Sequence, residues 1–270
     1  MTFITLLGWI VAGWMLLVGL MFVGQRALLY HPDRSLPNAA ELTAAGFQAL
    51  PVRTEDGIDL TAWHRPAEPG RSTLVLFHGN AGHHGHRLSL GLPLASRGYG
   101  VVLAPYRGYG GASGQPTEDG LVTDGRATLA ALAPSVPRTR IVLWGESLGG
   151  GIATRLAADA ASEGRPVQGL MLQAPFTSVH ERAAEVYRFV PARWLVLDRF
   201  DNLRRIAKIS APLLIVHGEE DAVVPAAHGK RLFGAASQPK LGVFIPGADH
   251  NNLPEFGLAE RMAEFLERLS

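Results

Sequence analysis

No cysteine occurs anywhere in the 270-residue chain, which excludes disulfides, a thiol nucleophile and thiolate metal sites while leaving the redox compartment open. Lysine is nearly missing as well, present only as Lys208, Lys230 and Lys240, so arginine carries almost all of the positive charge. With the abundant alanine and glycine, that bias points to a GC-rich bacterial coding sequence and says nothing about activity. There is no long basic run, and 25 Lys and Arg against 24 Asp and Glu leave a net charge of +1, which argues against nucleic acid as a partner. Phosphate loops fail on inspection. The stretch 108–113 lacks the third glycine of G-x-G-x-x-G, and 145–151 lacks the lysine of a P-loop, so no nucleotide is implied. Repeats and low-complexity tracts are absent too, and a chain with 47% hydrophobic and 18% charged residues can bury one large core.

Charge is also missing locally. From Thr2 to Gln25 no side chain is charged, and the apolar run 3–23, at about 1.5 Å per residue, is long enough to cross a hydrocarbon core of roughly 30 Å. A cleaved signal peptide requires a basic n-region and a shorter apolar core, and no Lys or Arg precedes Phe3. The reading is therefore a single-pass membrane anchor over 1–26, a connector over 27–50 with a short helix near 38–45, and a catalytic domain over 51–270. Arg26 and Arg34 flank the C-terminal side of the anchor, which favours a cytoplasmic domain at a bacterial inner membrane.

Beyond the connector, short continuous apolar runs recur at 74–77, 101–103, 141–144, 170–172, 213–216 and 243–245. Uninterrupted runs of this length mark strands buried on both faces of a parallel sheet. Helical patterns lie between them, so the fold class is α/β, a doubly wound and mostly parallel sheet with helices on both faces. The stretch 52–65 is expected to add one or two antiparallel edge strands.

Directly after the run 141–144 comes Gly145-Glu146-Ser147-Leu148-Gly149, followed by an alanine-rich helical segment. Strand, sharp turn and helix with a serine at the apex is the arrangement that exposes a nucleophilic hydroxyl. A serine hydroxyl is a weak nucleophile and needs a base, and the base needs a group to hold its tautomer. In an α/β sheet these partners belong just past the C-terminal ends of strands. Asp221 follows the run 213–216 and His250 follows 243–245, in the order nucleophile, acid, base. Glu220 is the fallback acid and His228, inside a helical pattern, a poor fallback base. The backbone N–H of Leu148 and that of Asn80, with Ala81 as the alternative, are the expected oxyanion donors, and His78 is expected to brace their loop.

The strings Phe77-His78-Gly79-Asn80-Ala81-Gly82, Pro105-Tyr106-Arg107-Gly108-Tyr109-Gly110, Gly145-Glu146-Ser147-Leu148-Gly149-Gly150, His217-Gly218-Glu219-Glu220-Asp221 and Gly247-Ala248-Asp249-His250-Asn251 together resemble the membrane-anchored α/β-hydrolase-domain serine hydrolases with the F-H-G-N-A signature. The resemblance covers roughly 50–268 and implies an α/β-hydrolase fold and a Ser147, Asp221, His250 triad that uses no cofactor. Eukaryotic members of that group remove acyl groups from membrane-bound proteins. The chain departs from the pattern at His83-His84-Gly85-His86; no carboxylate accompanies these histidines and the triad needs no ion, so no metal is expected. The segment 176–210 is the expected lid, with Tyr187 and Trp194 as candidate substrate contacts, either as a wall for an acyl chain or as a helix covering the core. The expected substrate is a small-molecule or lipid-like acyl ester or thioester, with membrane lipid as the other partner. A serine peptidase or amidase, and a catalytically silent membrane scaffold, are the competing readings.

Overall fold

The computed structural model describes residues 2–269. In chain order its elements are α1 (Phe3–Leu29), β1 (His31–Pro32), α2 (Ala39–Ala44), β2 (Gln48–Arg53), β3 (Asp59–Arg65), β4 (Thr73–Phe77), β5 (Ala81–Gly82), α3 (Leu88–Ala95), β6 (Gly100–Leu103) and α4 (Glu118–Leu132). There follow β7 (Ile141–Glu146), α5 (Leu148–Ser162), β8 (Gly169–Gln173), α6 (Val179–Val186), α7 (Ala192–Leu195), α8 (Asn202–Ile206), β9 (Leu213–Gly218), α9 (Ala226–Ala235), β10 (Lys240–Ile245) and α10 (Leu258–Glu267).

The main sheet has the order β10-β9-β8-β7-β4-β6-β3-β2. Every pairing from β10 to β6 is parallel, and β3 and β2 close one edge antiparallel. This is the α/β-hydrolase fold. Each apolar run serves two cores because successive side chains point to opposite faces. Along β7, Ile141 and Leu143 join the core beneath α4 and α5, while Val142 and Trp144 join the one beneath α3 and α10. The edge strand β2 starts earlier than the sequence pattern suggests. Pro51 interrupts its apolar alternation, and an edge strand tolerates proline because its free side need not donate to a ladder.

Helix α1 is long and apolar enough to cross a membrane, and none of its residues is buried. The connector behind it is more than a spacer. β1 pairs in parallel with β5, so the chain leaving α1 lies directly against the loop after β4.

One buried ion cluster fixes the loop after β6. Arg107 donates from Nε to Asp124 at 2.9 Å and from Nη1 to Asp56 at 2.6 Å, and its backbone N–H donates to Asp124 at 2.8 Å. Asp124 is completely buried; burial raises its pKa, and the Arg107 hydrogen bonds and charge oppose that rise. Removing one partner of a buried pair strands the other charge, which costs about 3–5 kcal/mol, whereas replacing both with apolar groups costs far less. Arg107→Ala is therefore expected to lose stability on that scale, and Arg107→Leu combined with Asp124→Leu to recover most of it. Urea unfolding of the detergent-solubilised proteins measures both, and equal losses for single and double variants would refute the buried-charge account.

Candidate active site

Ser147 sits between β7 and α5 with φ 49° and ψ −113°, a left-handed conformation that costs a non-glycine residue energy. Two glycines make this turn possible. A Cβ on Gly149 would run into the Phe77 carbonyl of β4, and one on Gly145 would strike the Gly150 backbone. The Ser147 N–H is satisfied by the Gln173 carbonyl of β8 at 2.9 Å, so the neighbouring strand holds the elbow in place.

His250 Nε2 lies 3.0 Å from Ser147 Oγ, and His250 Nδ1 lies 2.7 Å from Asp221 Oδ2. A carboxylate accepts only, so Nδ1 carries the proton and Nε2 turns its lone pair to the serine. Burial alone raises the Asp221 pKa, but hydrogen bonds from His217, His250 and the Val224 N–H outweigh it and hold the carboxyl well below the ordinary carboxylate range. His217 was not singled out as a site residue in the sequence. It is fully buried, with Nε2 2.8 Å from the Val224 carbonyl and 3.2 Å from Asp221 Oδ2. Its position at the end of β9, four residues before Asp221, was the available signal. Glu220 is exposed and His228 bonds instead to Thr177 and Glu185, so neither fallback joins this group.

The expected oxyanion donors lie at the same place. Asn80, Ser147, Leu148 and His250 line one pocket of about 350 Å³. Leu148 opens α5, where the first N–H groups have no partner within the helix. Asn80 is held by its other atoms: its carbonyl accepts from Tyr109 Oη at 2.9 Å and from the His31 N–H at 3.0 Å, and its Nδ2 donates to the Leu29 carbonyl at 3.0 Å. His78 is fully buried under Tyr106, whose hydroxyl donates to the His78 carbonyl at 3.0 Å. Glu146 binds the loop from the side of Ser147. Its carboxylate accepts from Arg87 Nε at 2.6 Å and from the Gly79 N–H at 3.2 Å. This clamp was not legible, since Glu146 occupies a variable position of its motif. Ala81 lies in β5, with its carbonyl accepting from Arg87.

The two candidate substrate residues separate. Tyr187 lines the pocket; Trp194 does not and is 78% exposed, because α7 turns Ala192 inward and leaves Trp194 facing out. The histidine loop also differs from expectation. A carboxylate does accompany it: the β1–β5 pairing brings Asp33 close, and Asp33, His83 and His86 offer ligand atoms within 4.8 Å of one another. His83 Nδ1 accepts the Gly85 N–H and the His83 and His86 rings stack at 3.7 Å. None of the three bonds to Ser147, Asp221 or His250. His84 is buried edge-on to the His83 ring, and burial pushes its pKa down to about 3.

Comparison with known proteins agrees with the fold. Residues 68–203 match the family described as serine aminopeptidase, S33 (Hydrolase_4). An uncharacterized protein of Mycobacterium tuberculosis is 40% identical over 233 residues, covering 84% of this chain and 81% of that one. The lysophosphatidylserine lipase ABHD12 of Danio rerio is 34% identical over 223 residues, covering 70% of this chain and 58% of the lipase. The esterase Pf2001 of Pyrococcus furiosus shares the fold with a TM-score of 0.69 at 21% identity, covering 89% of this chain and all of its own.

The Asp221 environment carries a stability prediction. Its folded pKa is depressed, so its stabilising contribution is complete above the unfolded value of about 3.9 and is lost as pH falls through the folded value. His217→Phe removes one of the lowering hydrogen bonds. The variant is expected to be less stable than the native protein at neutral pH, with the gap closing in strong acid; a gap independent of pH in urea titrations would assign the loss to packing instead.

Proposed function

The chain belongs to the serine aminopeptidase S33 (Hydrolase_4) family, and from that premise we propose that it is a serine hydrolase cleaving carboxylic esters or thioesters with a hydrophobic acyl group through an acyl-enzyme. The observation that carries this reading is the Ser147–His250–Asp221 chain of 3.0 and 2.7 Å contacts at the mouth of a pocket lined mainly by apolar side chains. Ser147 Oγ attacks the acyl carbon while His250 Nε2 takes its proton. The oxyanion forms against the N–H groups of Leu148 and Asn80, and each such donor contributes about 3–4 kcal/mol of barrier lowering. His250 then protonates the departing alcohol or thiol, Ser147 is left acylated, and a water deprotonated by His250 releases the acid. Asp221 stays ionised and stabilises the imidazolium throughout.

The family description names a peptidase, so the choice of ester over peptide rests on the pocket. An aminopeptidase site needs an anion to receive the substrate ammonium, and no Asp or Glu lines this pocket; its charged group is Arg182. Relatives named lysophosphatidylserine lipases support a lipid ester. The resemblance to the F-H-G-N-A group supports the same division of the chain: anchor 1–26, connector 27–50, and a catalytic domain over 51–270 with its lid about 176–210. On this reading α1 spans a bacterial inner membrane once and leaves the catalytic domain on the cytoplasmic side, as Arg26 and Arg34 favour.

A fluorophosphonate probe on the membrane fraction tests the proposal. Labelling is expected for the native protein and to vanish in Ser147→Ala and His250→Ala, with ester turnover falling about 10⁴-fold or more. Undiminished labelling of Ser147→Ala would leave the silent scaffold. Faster turnover of an acyl anilide than of its matched ester would favour the amidase.

A further inference from the structure

Polar groups are scarce on α1, and three of them bond to the segment after α6. Trp14 Nε1 donates to the Phe189 carbonyl at 2.8 Å, the Leu197 N–H donates to Gln25 Oε1 at 2.8 Å, and Arg26 pairs with Asp198 at 2.9 Å. Gln25 Nε2 also reaches the Leu195 carbonyl at 3.4 Å. Phe189, Leu195, Leu197 and Asp198 all belong to the segment after α6. An unpaired backbone group in hydrocarbon costs several kcal/mol, and here the apolar helix supplies the partners that irregular lid backbone lacks. Between Trp14 and Leu29 the half-buried side chains of α1, Val18, Met21, Gln25 and Leu29, recur at helical spacing, so one face of α1 lies along the lid.

That seam forms an open pocket of about 130 Å³ between Val18, Met21 and Phe22 on one side and Val190, Ala192 and Leu195 on the other. It adjoins the Ser147 pocket: Leu29, Val179, Ala183 and Tyr187 line both. Three of its polar side chains, Gln25, Arg26 and Asp198, bond across the seam. The lid's outer surface is unusual for a protein in water: Val186, Phe189, Trp194 and Leu197 are each at least half exposed. From Trp14 to Gly24 the helix rises about 15 Å, half of a hydrocarbon core of about 30 Å. Immersing the lid in one leaflet beside that half of α1 covers these side chains and places Trp194 where tryptophan is favoured, near the headgroups.

We infer that the α1–lid seam is the binding site for the acyl chain of an ester or thioester resident in the membrane, entered from the leaflet and ending at Ser147. The inference rests on the serine-hydrolase reading above and makes α1 a wall of the substrate site as well as an anchor. Its occupant is hydrocarbon because the walls are mostly apolar and because four of the lining residues also wall the pocket that holds Ser147.

The test uses the full chain in phosphatidylethanolamine–phosphatidylglycerol vesicles and a hexadecyl fluorophosphonate with a diazirine at the far end of its chain. Once attached to Ser147 and illuminated, the probe is expected to crosslink to the α1 peptide between Val18 and Leu29 and to the lid. Attachment at Ser147 with crosslinks confined to other elements would overturn the seam while sparing the hydrolase reading; failure to attach at Ser147 would overturn both. Independently, Met21→Trp is expected to lower the ratio of myristoyl-ester to butyryl-ester kcat/KM by roughly tenfold or more. Val23→Trp, on the 84% exposed side of α1, is expected to leave that ratio unchanged. An unchanged ratio in Met21→Trp, with butyryl-ester activity retained, would refute the seam as the acyl site.

Discussion

The close approach of α5 to β7 and β4 is the constraint on which the other parts of the site depend. With no Cβ at Gly145 or Gly149, the helix starts against the Phe77 carbonyl and the strand end cannot relax into an ordinary turn. Ser147 is forced to positive φ and its side chain leaves the sheet surface, while Glu146 on the opposite side of the turn is directed to Arg87 and the Gly79 N–H. One backbone contortion therefore orients the hydroxyl and grips the loop that faces it. The energy stored in that turn is held by surrounding bonds rather than by the turn itself, the Ser147 N–H to Gln173 carbonyl bond foremost.

A second layer keeps the facing loop rigid. Arg107, neutralised by Asp124 and Asp56, fixes the loop after β6, and that loop carries Tyr106 and Tyr109, whose hydroxyls donate to the carbonyls of His78 and Asn80. A buried arginine with two carboxylates is a poor way to gain stability, since desolvation consumes most of the attraction. It is an effective way to hold two tyrosines in one orientation, because each guanidinium hydrogen bond is directional and the cluster cannot slide.

Much of this was legible in the sequence where the signal is local or periodic. Continuous apolar runs marked the buried parallel strands, and the rule that sites form past strand ends led from Ser147 to Asp221 and His250, which the structure brings within 2.7 and 3.0 Å. What was not legible pairs residues far apart with no period to announce it. Arg87 and Glu146 are 59 residues apart and Trp14 and Phe189 175 apart. Asp33 reaches His83 and His86 only because β1 pairs with β5, and two-residue strands leave no pattern to read. His217 was hidden for a different reason: it ends a buried strand, where a histidine reads as core until the carboxylate beside it is seen. Trp194 misled because an aromatic in a lid suggests a substrate contact, whereas its side chain faces away from the pocket.

The attachment of Asn80 joins the apolar helix α1 to the serine pocket. Its side-chain amide is bonded to the Leu29 carbonyl at the end of α1, its own carbonyl accepts from the first residue of β1, and Tyr109 approaches from the other side. A backbone N–H contributes to oxyanion stabilisation only if it already points at the right position, since reorientation during the reaction would consume the gain. The orientation of the Asn80 backbone is set jointly by the loop after β6 and by the exit of an apolar helix. Leu29, whose carbonyl anchors Asn80, also lines both the serine pocket and the pocket beside the segment after α6. The same few residues thus fix the loop that carries Asn80 and form the apolar wall next to it, so a displacement of α1 relative to the sheet changes both together.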